Sequence, residues 1–139
     1  MTIGAIDIGN SAAKFGIFEA GTLVATFAEP LDRGTRAVSS SVVEALTEGG
    51  VERVGISSVV PAIRDAVDSG LRAKGVADIV HVSADSSLPF SIGYDTPSTL
   101  GVDRIAAAAG AHVVPEFPIA PDKPVAILDA GTALTIDVL

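Results

Sequence analysis

Hydrophobic and polar positions alternate in three distinct ways along the chain. Ile3–Ile8 is apolar on both faces until Asp7, the pattern of a central strand. Gly9-Asn10-Ser11 then reads as a turn, and Lys14–Glu19 and Thr22–Ala28 as two further strands around an Ala20-Gly21 hairpin turn. Val38, Val42, Ala45 and Leu46 fall at helical spacing, with Thr35 as a candidate N-cap and Gly49-Gly50 as the stop. Val51–Ser57 predicts a strand. A helix opening at Pro61, with Ile63, Val67 and Leu71 on its face, is ended by Gly75. Val76–Val82 predicts another strand, and Ser83–Thr99, with Pro89, Gly93 and Pro97, an ordered loop. A third helix spans about Leu100–Val113. The proline-rich stretch Pro115–Pro124 reads as an inter-domain connection. A buried strand at Val125–Leu128, a turn, and a return run Ala133–Leu139 complete the chain.

Three strands joined by tight turns, then alternating helices and strands, predict an α/β fold: a mixed five-stranded sheet with flanking helices. That element order is the order of a ribonuclease-H-like domain. The segment Ala5-Ile6-Asp7-Ile8-Gly9-Asn10-Ser11 resembles Ile127-Leu128-Asp129-Ala130-Gly131-Thr132-Ala133. One copy opens the chain and the other follows the proline-rich connector. The expected organisation is a first domain over 1–120 and, over 121–139, the first hairpin of a second, similar domain.

Composition narrows the functions. With 9 Lys and Arg against 17 Asp and Glu, the net charge is −8, a poor basis for binding nucleic acid or an anionic membrane. There are no cysteines, so thiolate catalysis and disulfides are excluded. No basic, apolar leader stands at the N-terminus, and the expected location is cytoplasmic.

An aspartate at the end of a buried strand is expensive unless it is paired. Asp7 and Asp129 both take that position. Each could accept N–H bonds from its own turn, the bland reading. Their repetition favours a ligand role. A glycine two residues on admits a phosphate to the backbone, and two carboxylates can hold a hydrated Mg²⁺ between domains. Lys14 can supply a point charge to a transferring phosphoryl group, or be a solvated lysine. In Tyr94-Asp95-Thr96-Pro97-Ser98-Thr99-Leu100-Gly101-Val102-Asp103-Arg104, the Asp103 carboxylate suits a first helical turn and Arg104 could pair with a nearby acid. The same two groups could instead accept a hydroxyl proton and grip a carboxylate. His112 fits a dipole partner at a helix C-terminus, Ser57 and Ser58 could border a site, and His81 has no assigned role.

Four segments in order resemble type III pantothenate kinases of the actin-like, sugar-kinase-like ATPase superfamily. They are Asp7-Ile8-Gly9-Asn10-Ser11 with Lys14, Ile56-Ser57-Ser58-Val59-Val60-Pro61, Gly101-Val102-Asp103-Arg104, and Asp129-Ala130-Gly131-Thr132-Ala133-Leu134-Thr135. The resemblance implies ATP-dependent phosphorylation of pantothenate, the first step of coenzyme A synthesis. It implies ATP phosphates on Asp7, Gly9, Asn10, Ser11, Lys14, Gly131 and Thr132, with Mg²⁺ on Asp7 and Asp129. It further implies a base at Asp103, a pantothenate pocket of Tyr94, Gly101, Val102, Asp103 and Arg104, a monovalent cation (K⁺ or NH₄⁺) and a homodimer. Ser11 stands where the family usually has threonine, which keeps the hydroxyl. The chain reaches about halfway through the family's length, so the short chain is expected to be a poor catalyst alone. The alternative is a non-catalytic regulatory relative, of the Bvg accessory factor type, that binds nucleotide or a pantothenate-like ligand.

Overall fold

The computed structural model describes residues 1–31, 40–114, 119–120, 123–131 and 133–139. The expected N-cap Thr35, the helical position Val38, part of the Pro115–Pro124 connector and the site residue Thr132 lie outside the described residues. The chain forms two compact units, Met1–His81 and Val82–Leu139.

The first unit holds β1 (Thr2–Ile8), β2 (Ala12–Glu19), β3 (Thr22–Pro30), α1 (Ser40–Glu48), β4 (Arg53–Ser58), α2 (Pro61–Ala73) and β5 (Asp78–His81). The strands form one mixed sheet in the order β3-β2-β1-β4-β5. β1 is central, antiparallel to β2 and parallel to β4, as the ribonuclease-H-like order requires. Ala20 and Gly21 both have positive φ, so the β2–β3 turn has the hand that suits a two-residue hairpin.

One face of the sheet carries the core. Gly4, Ile6 and Ile8 of β1 stand beside Ile17, Phe15 and Ala13 of β2 and beside Val54, Ile56 and Ser58 of β4. Val42 and Leu46 of α1, and Ile63, Val67 and Leu71 of α2, close over that face in a single apolar cluster. Fully burying one such side chain is worth about 1.5–3 kcal/mol. Gly4 is where α1 comes closest: a Cβ there would meet Leu46 and Val51 at 3.1 Å.

The two helices stop in the same way. After α1, the Gly50 N–H donates to the Thr47 carbonyl and the Val51 N–H to the Leu46 carbonyl. After α2, Gly75 bonds back to Arg72 and Val76 to Leu71. Gly50 and Gly75 take left-handed φ values of +65° and +93°, which the motif needs and a side chain resists. Each stop delivers a buried valine, Val51 or Val76, under the edge of the next strand. The strands therefore begin at Arg53 and Asp78, two residues later than hydrophobicity alone predicts. At the other end of α2, Pro61 fills the first turn and the Ser58 hydroxyl accepts the Val60 N–H at 3.1 Å.

His81 has a structural task. Its Nε2 lies 2.7 Å from Asp68 of α2, and Arg72 donates to the same carboxylate at 2.6 Å. The bond from Arg72, aided by His81, holds the Asp68 carboxyl below its ordinary range despite the opposing effect of burial.

The second unit contains a long loop with a 3₁₀ turn at Pro97–Thr99, then α3 (Val102–Ala111), β6 (Ala126–Ala130) and β7 (Leu134–Val138). His112 closes α3 and stacks on Phe90 with ring centroids 5.3 Å apart. β6 was expected to be buried. Instead Leu128 is 64% exposed, because β6 and β7 form a two-stranded sheet whose outer face carries Leu134, Ile136 and Val138 uncovered.

Three substitutions test this packing. Gly4→Val should destabilise by about 1–3 kcal/mol in urea titration, through overpacking against Leu46 and Val51. Gly55→Ala, with no atom within 4 Å of its added Cβ, should stay within about 0.5 kcal/mol. A carboxyl whose folded pKa is lowered adds stability above its unfolded value and loses it as pH falls through the folded one. Asp68→Asn should therefore cost about 0.5–1 kcal/mol at pH 7, a modest figure because Arg72 is half exposed. The difference from the parent should shrink steadily below about pH 4.

Candidate active site

Asp7 is the half-buried penultimate residue of β1, and the registers on its two sides decide its neighbours. Across the antiparallel pair it stands opposite Lys14, and across the parallel pair opposite Ser57. Paired residues share a face, so Lys14, Asp7 and Ser57 form a row on the side away from the apolar core. Ser57 is 4% exposed, and its hydroxyl has no hydrogen-bond partner among the described residues. An orphaned buried hydroxyl beside a carboxylate is costly to the fold alone and useful to a ligand. The Val59 N–H donates to the Ile8 carbonyl at 3.0 Å, which ties the carboxyl ends of β1 and β4 together. In α/β sheets that end is where ligands bind.

The turn after Asp7 is closed by the Gly9 N–H donating to the Ala12 carbonyl at 3.0 Å. That N–H is committed to the turn, so the donors left for a ligand are those of its neighbours. The glycine itself is not demanded by the fold. Its φ is not left-handed, and the nearest neighbour of an added Cβ is the Ala12 carbonyl oxygen at 3.4 Å. What a side chain there would obstruct is approach from outside.

The second copy has the same construction. The Gly131 N–H donates to the Ala133 carbonyl at 3.1 Å, and an added Cβ on Gly131 would meet only the Asp129 carboxylate, at 3.8 Å. Two differences separate the copies. Asp129 is exposed where Asp7 is half-buried, and Thr135 rather than a lysine stands opposite it. Thr132 lies outside the described residues. Among the described residues, no three His, Cys, Asp or Glu side chains cluster as a metal cage.

The start of α3 forms a third polar group. Gly101 occupies the N-cap position and its carbonyl accepts the Arg104 N–H at 3.1 Å. The Asp103 carboxylate accepts the same N–H at 2.9 Å and lies over Gly101, where a Cβ would collide with it. Gly101 is thus the residue that leaves room for this carboxylate. Arg104 donates from Nε to both Asp137 oxygens at 3.0 Å, and from Nη2 to Oδ1. The Asp137 carboxylate holds the guanidinium above its ordinary pKa, against a smaller opposing effect of burial. Beside this pair is a cavity of about 270 Å³ walled by Phe90, Ile92, Tyr94 and Leu100. The structure therefore brings together Tyr94 and Arg104 on one cavity. Gly101, Val102 and Asp103 adjoin it in sequence without lining it.

Sequence reasoning missed Asp137. The signal was present: on β7 the half-buried positions are Thr135 and Asp137, while Leu134, Ile136 and Val138 face out. A strand whose polar residues are its inner ones marks a polar partner.

Comparison with known proteins bears on these groups. Residues 5–139 match the sequence model of the family described as type III pantothenate kinase. The chain is 33% identical over 137 residues to a type III pantothenate kinase of Chlorobaculum parvum, covering 96% of this chain and 49% of that protein. It is 35% identical over 143 residues to one of Chlorobium luteolum, covering 96% of this chain and 48% of that protein. The chain thus spans about half the length of the curated relatives it matches. Among solved structures, it resembles an Aquifex aeolicus Ppx/GppA family member (TM-score 0.45, 16% identity, 100% of this chain and 51% of that one). It also resembles a ROK hexokinase of Thermus thermophilus (TM-score 0.39, 17% identity, 60% and 36%). With a family match that runs from Ala5 to the last residue, the chain belongs to the type III pantothenate kinase family.

Proposed function

We propose that this chain carries the phosphate-binding and acid-binding elements of an ATP-dependent pantothenate kinase. The observation that carries this reading is the duplicated Asp-x-Gly turn. Each copy is closed by the glycine N–H on a following carbonyl, and each leaves its glycine uncrowded for a ligand. Residues 1–120 are the first domain on this reading, and 121–139 begin a second domain of the same ancestry.

Each group then has a role. Gly9, Asn10, Ser11 and Lys14 bind ATP phosphates in the first copy, as do Gly131 and Thr132 in the second. Lys14 neutralises charge on the phosphoryl group in flight, where positioning and electrostatics supply most of the rate. Asp7 and Asp129 are the proposed ligands of Mg²⁺, which keeps most of its waters and needs only one or two carboxylates, so the donor set fits it. When bound, that ion neutralises the triphosphate. Tyr94 and Arg104 line the pantothenate pocket, with Arg104 on the carboxylate, and Gly101 and Val102 adjoin it in sequence. The pantothenate hydroxyl oxygen bonds to the γ-phosphorus as the bond to ADP breaks, and Asp103 receives the hydroxyl proton. The products are 4′-phosphopantothenate and ADP. A monovalent cation and a homodimer complete the reading, on the strength of family membership.

A coupled ADP-release assay with ATP, Mg²⁺, K⁺ and pantothenate tests it. Two samples are needed: this chain alone, and this chain co-expressed with the second half of the Chlorobaculum parvum relative. Turnover in the second sample is expected. Ligand binding without turnover in either would replace the enzyme by a regulatory binding protein. In the active sample, Asp103→Asn should lower turnover about 10²-fold while ATP affinity is unchanged. Equal losses of both would make Asp103 structural. Gly101→Ala should also reduce turnover, because it displaces the Asp103 carboxylate, with the melting temperature nearly constant.

A further inference from the structure

A guanidinium has two forked edges: Nε with one Nη, and the outer edge formed by both Nη atoms. Asp137 takes the first, through Nε and Nη2 of Arg104. Among the described residues, Nη1 has no hydrogen-bond partner, so the outer edge is uncommitted. The pair is largely sheltered, with side chains 30% and 19% exposed, and it borders the cavity walled by Phe90, Ile92 and Leu100. We propose that Asp137 is a positioning residue, which holds Arg104 by one edge so that the other is offered to a ligand carboxylate in this cavity. The proposal rests on the pantothenate reading of the cavity and deepens it.

Two effects of Asp137 oppose each other. Its negative charge repels a second carboxylate, and its fork fixes a side chain that otherwise samples many rotamers. The ligand would meet the far edge of the guanidinium, with the cation between the two carboxylates, and the site is partly solvated. Repulsion is weakened by both circumstances, and preorganisation prevails. Asp137 is suited to the task because β7 fixes it. It stands opposite Ile127 of β6, and strand alternation puts it on the half-buried side with Thr135. At about 270 Å³ the cavity lies just under the usual range for ligand pockets, so it fits a small acid with an apolar body better than a nucleotide.

The test is calorimetric titration of this chain with pantothenate and with its alcohol analogue, in which CH₂OH replaces the carboxylate. The parent should prefer the acid. Asp137→Asn keeps the shape, but it loses the negative charge and its amide N–H₂, in place of Oδ2, cannot accept from Nε. It should weaken pantothenate binding about tenfold and leave binding of the alcohol unchanged. Asp137→Glu should restore part of the loss. In an Arg104→Met background, Asp137→Asn should have no further effect. Unchanged or tighter pantothenate binding by Asp137→Asn overturns the proposal and leaves the pocket reading intact. Equal loss for acid and alcohol also overturns it, by making Asp137 merely structural. A parent chain that binds neither compound removes the pantothenate reading itself, and the inference with it.

Discussion

The structure of the first unit depends on the double pairing of β1. One strand is antiparallel to β2 on one side and parallel to β4 on the other, and its even-numbered residues face the helices. Register is strict under this constraint: a slip of one residue would turn Ile6 and Ile8 out of the core and Asp7 into it. The apolar cluster that stabilises the fold is therefore also what aims Asp7. The same registers fix Lys14 and Ser57 beside it. A base, an acid and an orphaned hydroxyl in one row are a consequence of pairing, with no dedicated loop needed to assemble them.

The second Asp-x-Gly copy uses the same device with less cover. Residues 9–12 separate the paired Ile8 and Ala13, whereas residues 131–133 separate Ala130 and Leu134. The shorter loop puts Thr135 rather than Ile136 opposite Asp129, and the return strand has no lysine at either position. The two copies thus share the Asp-x-Gly turn and differ in loop length and in charge. The first can offset phosphate charge with its own lysine. The second has a carboxylate without a facing cation, which is better matched to a metal ion than to a bare phosphate.

Much of the fold was legible in the sequence because period and punctuation agreed. Alternation over Lys14–Glu19, helical spacing of Ile63, Val67 and Leu71, and glycines at the helix stops all pointed to the elements observed. Strand starts were less legible. Val51 and Val76 look like strand residues because they are apolar, yet they pack at helix ends after the glycine stops. The site was legible where a residue's neighbours lie close in sequence, as for Asp7 with Gly9, or Asp103 with Gly101. It was not where partners come from distant strands. Ser57 and Asp137 matter through registers 50 and 33 residues away from Asp7 and Arg104, and no local pattern encodes those distances. The hairpin itself was legible, but the burial of β6 was not: its apolar residues imply cover, whereas Leu128 faces out and the half-buried positions of β7 are Thr135 and Asp137.

The proposed nucleotide site centres on Asp7 and Lys14, with Ser57 beside them in the same row. It is tested most directly by amide NMR of the chain titrated with Mg²⁺ and a non-hydrolysable ATP analogue. Shifts should concentrate at residues 7–14 and 57–59, and they should disappear in Asp7→Asn. Shifts centred elsewhere, or a response that survives Asp7→Asn unchanged, would contradict the assignment of this row as the nucleotide's phosphate site.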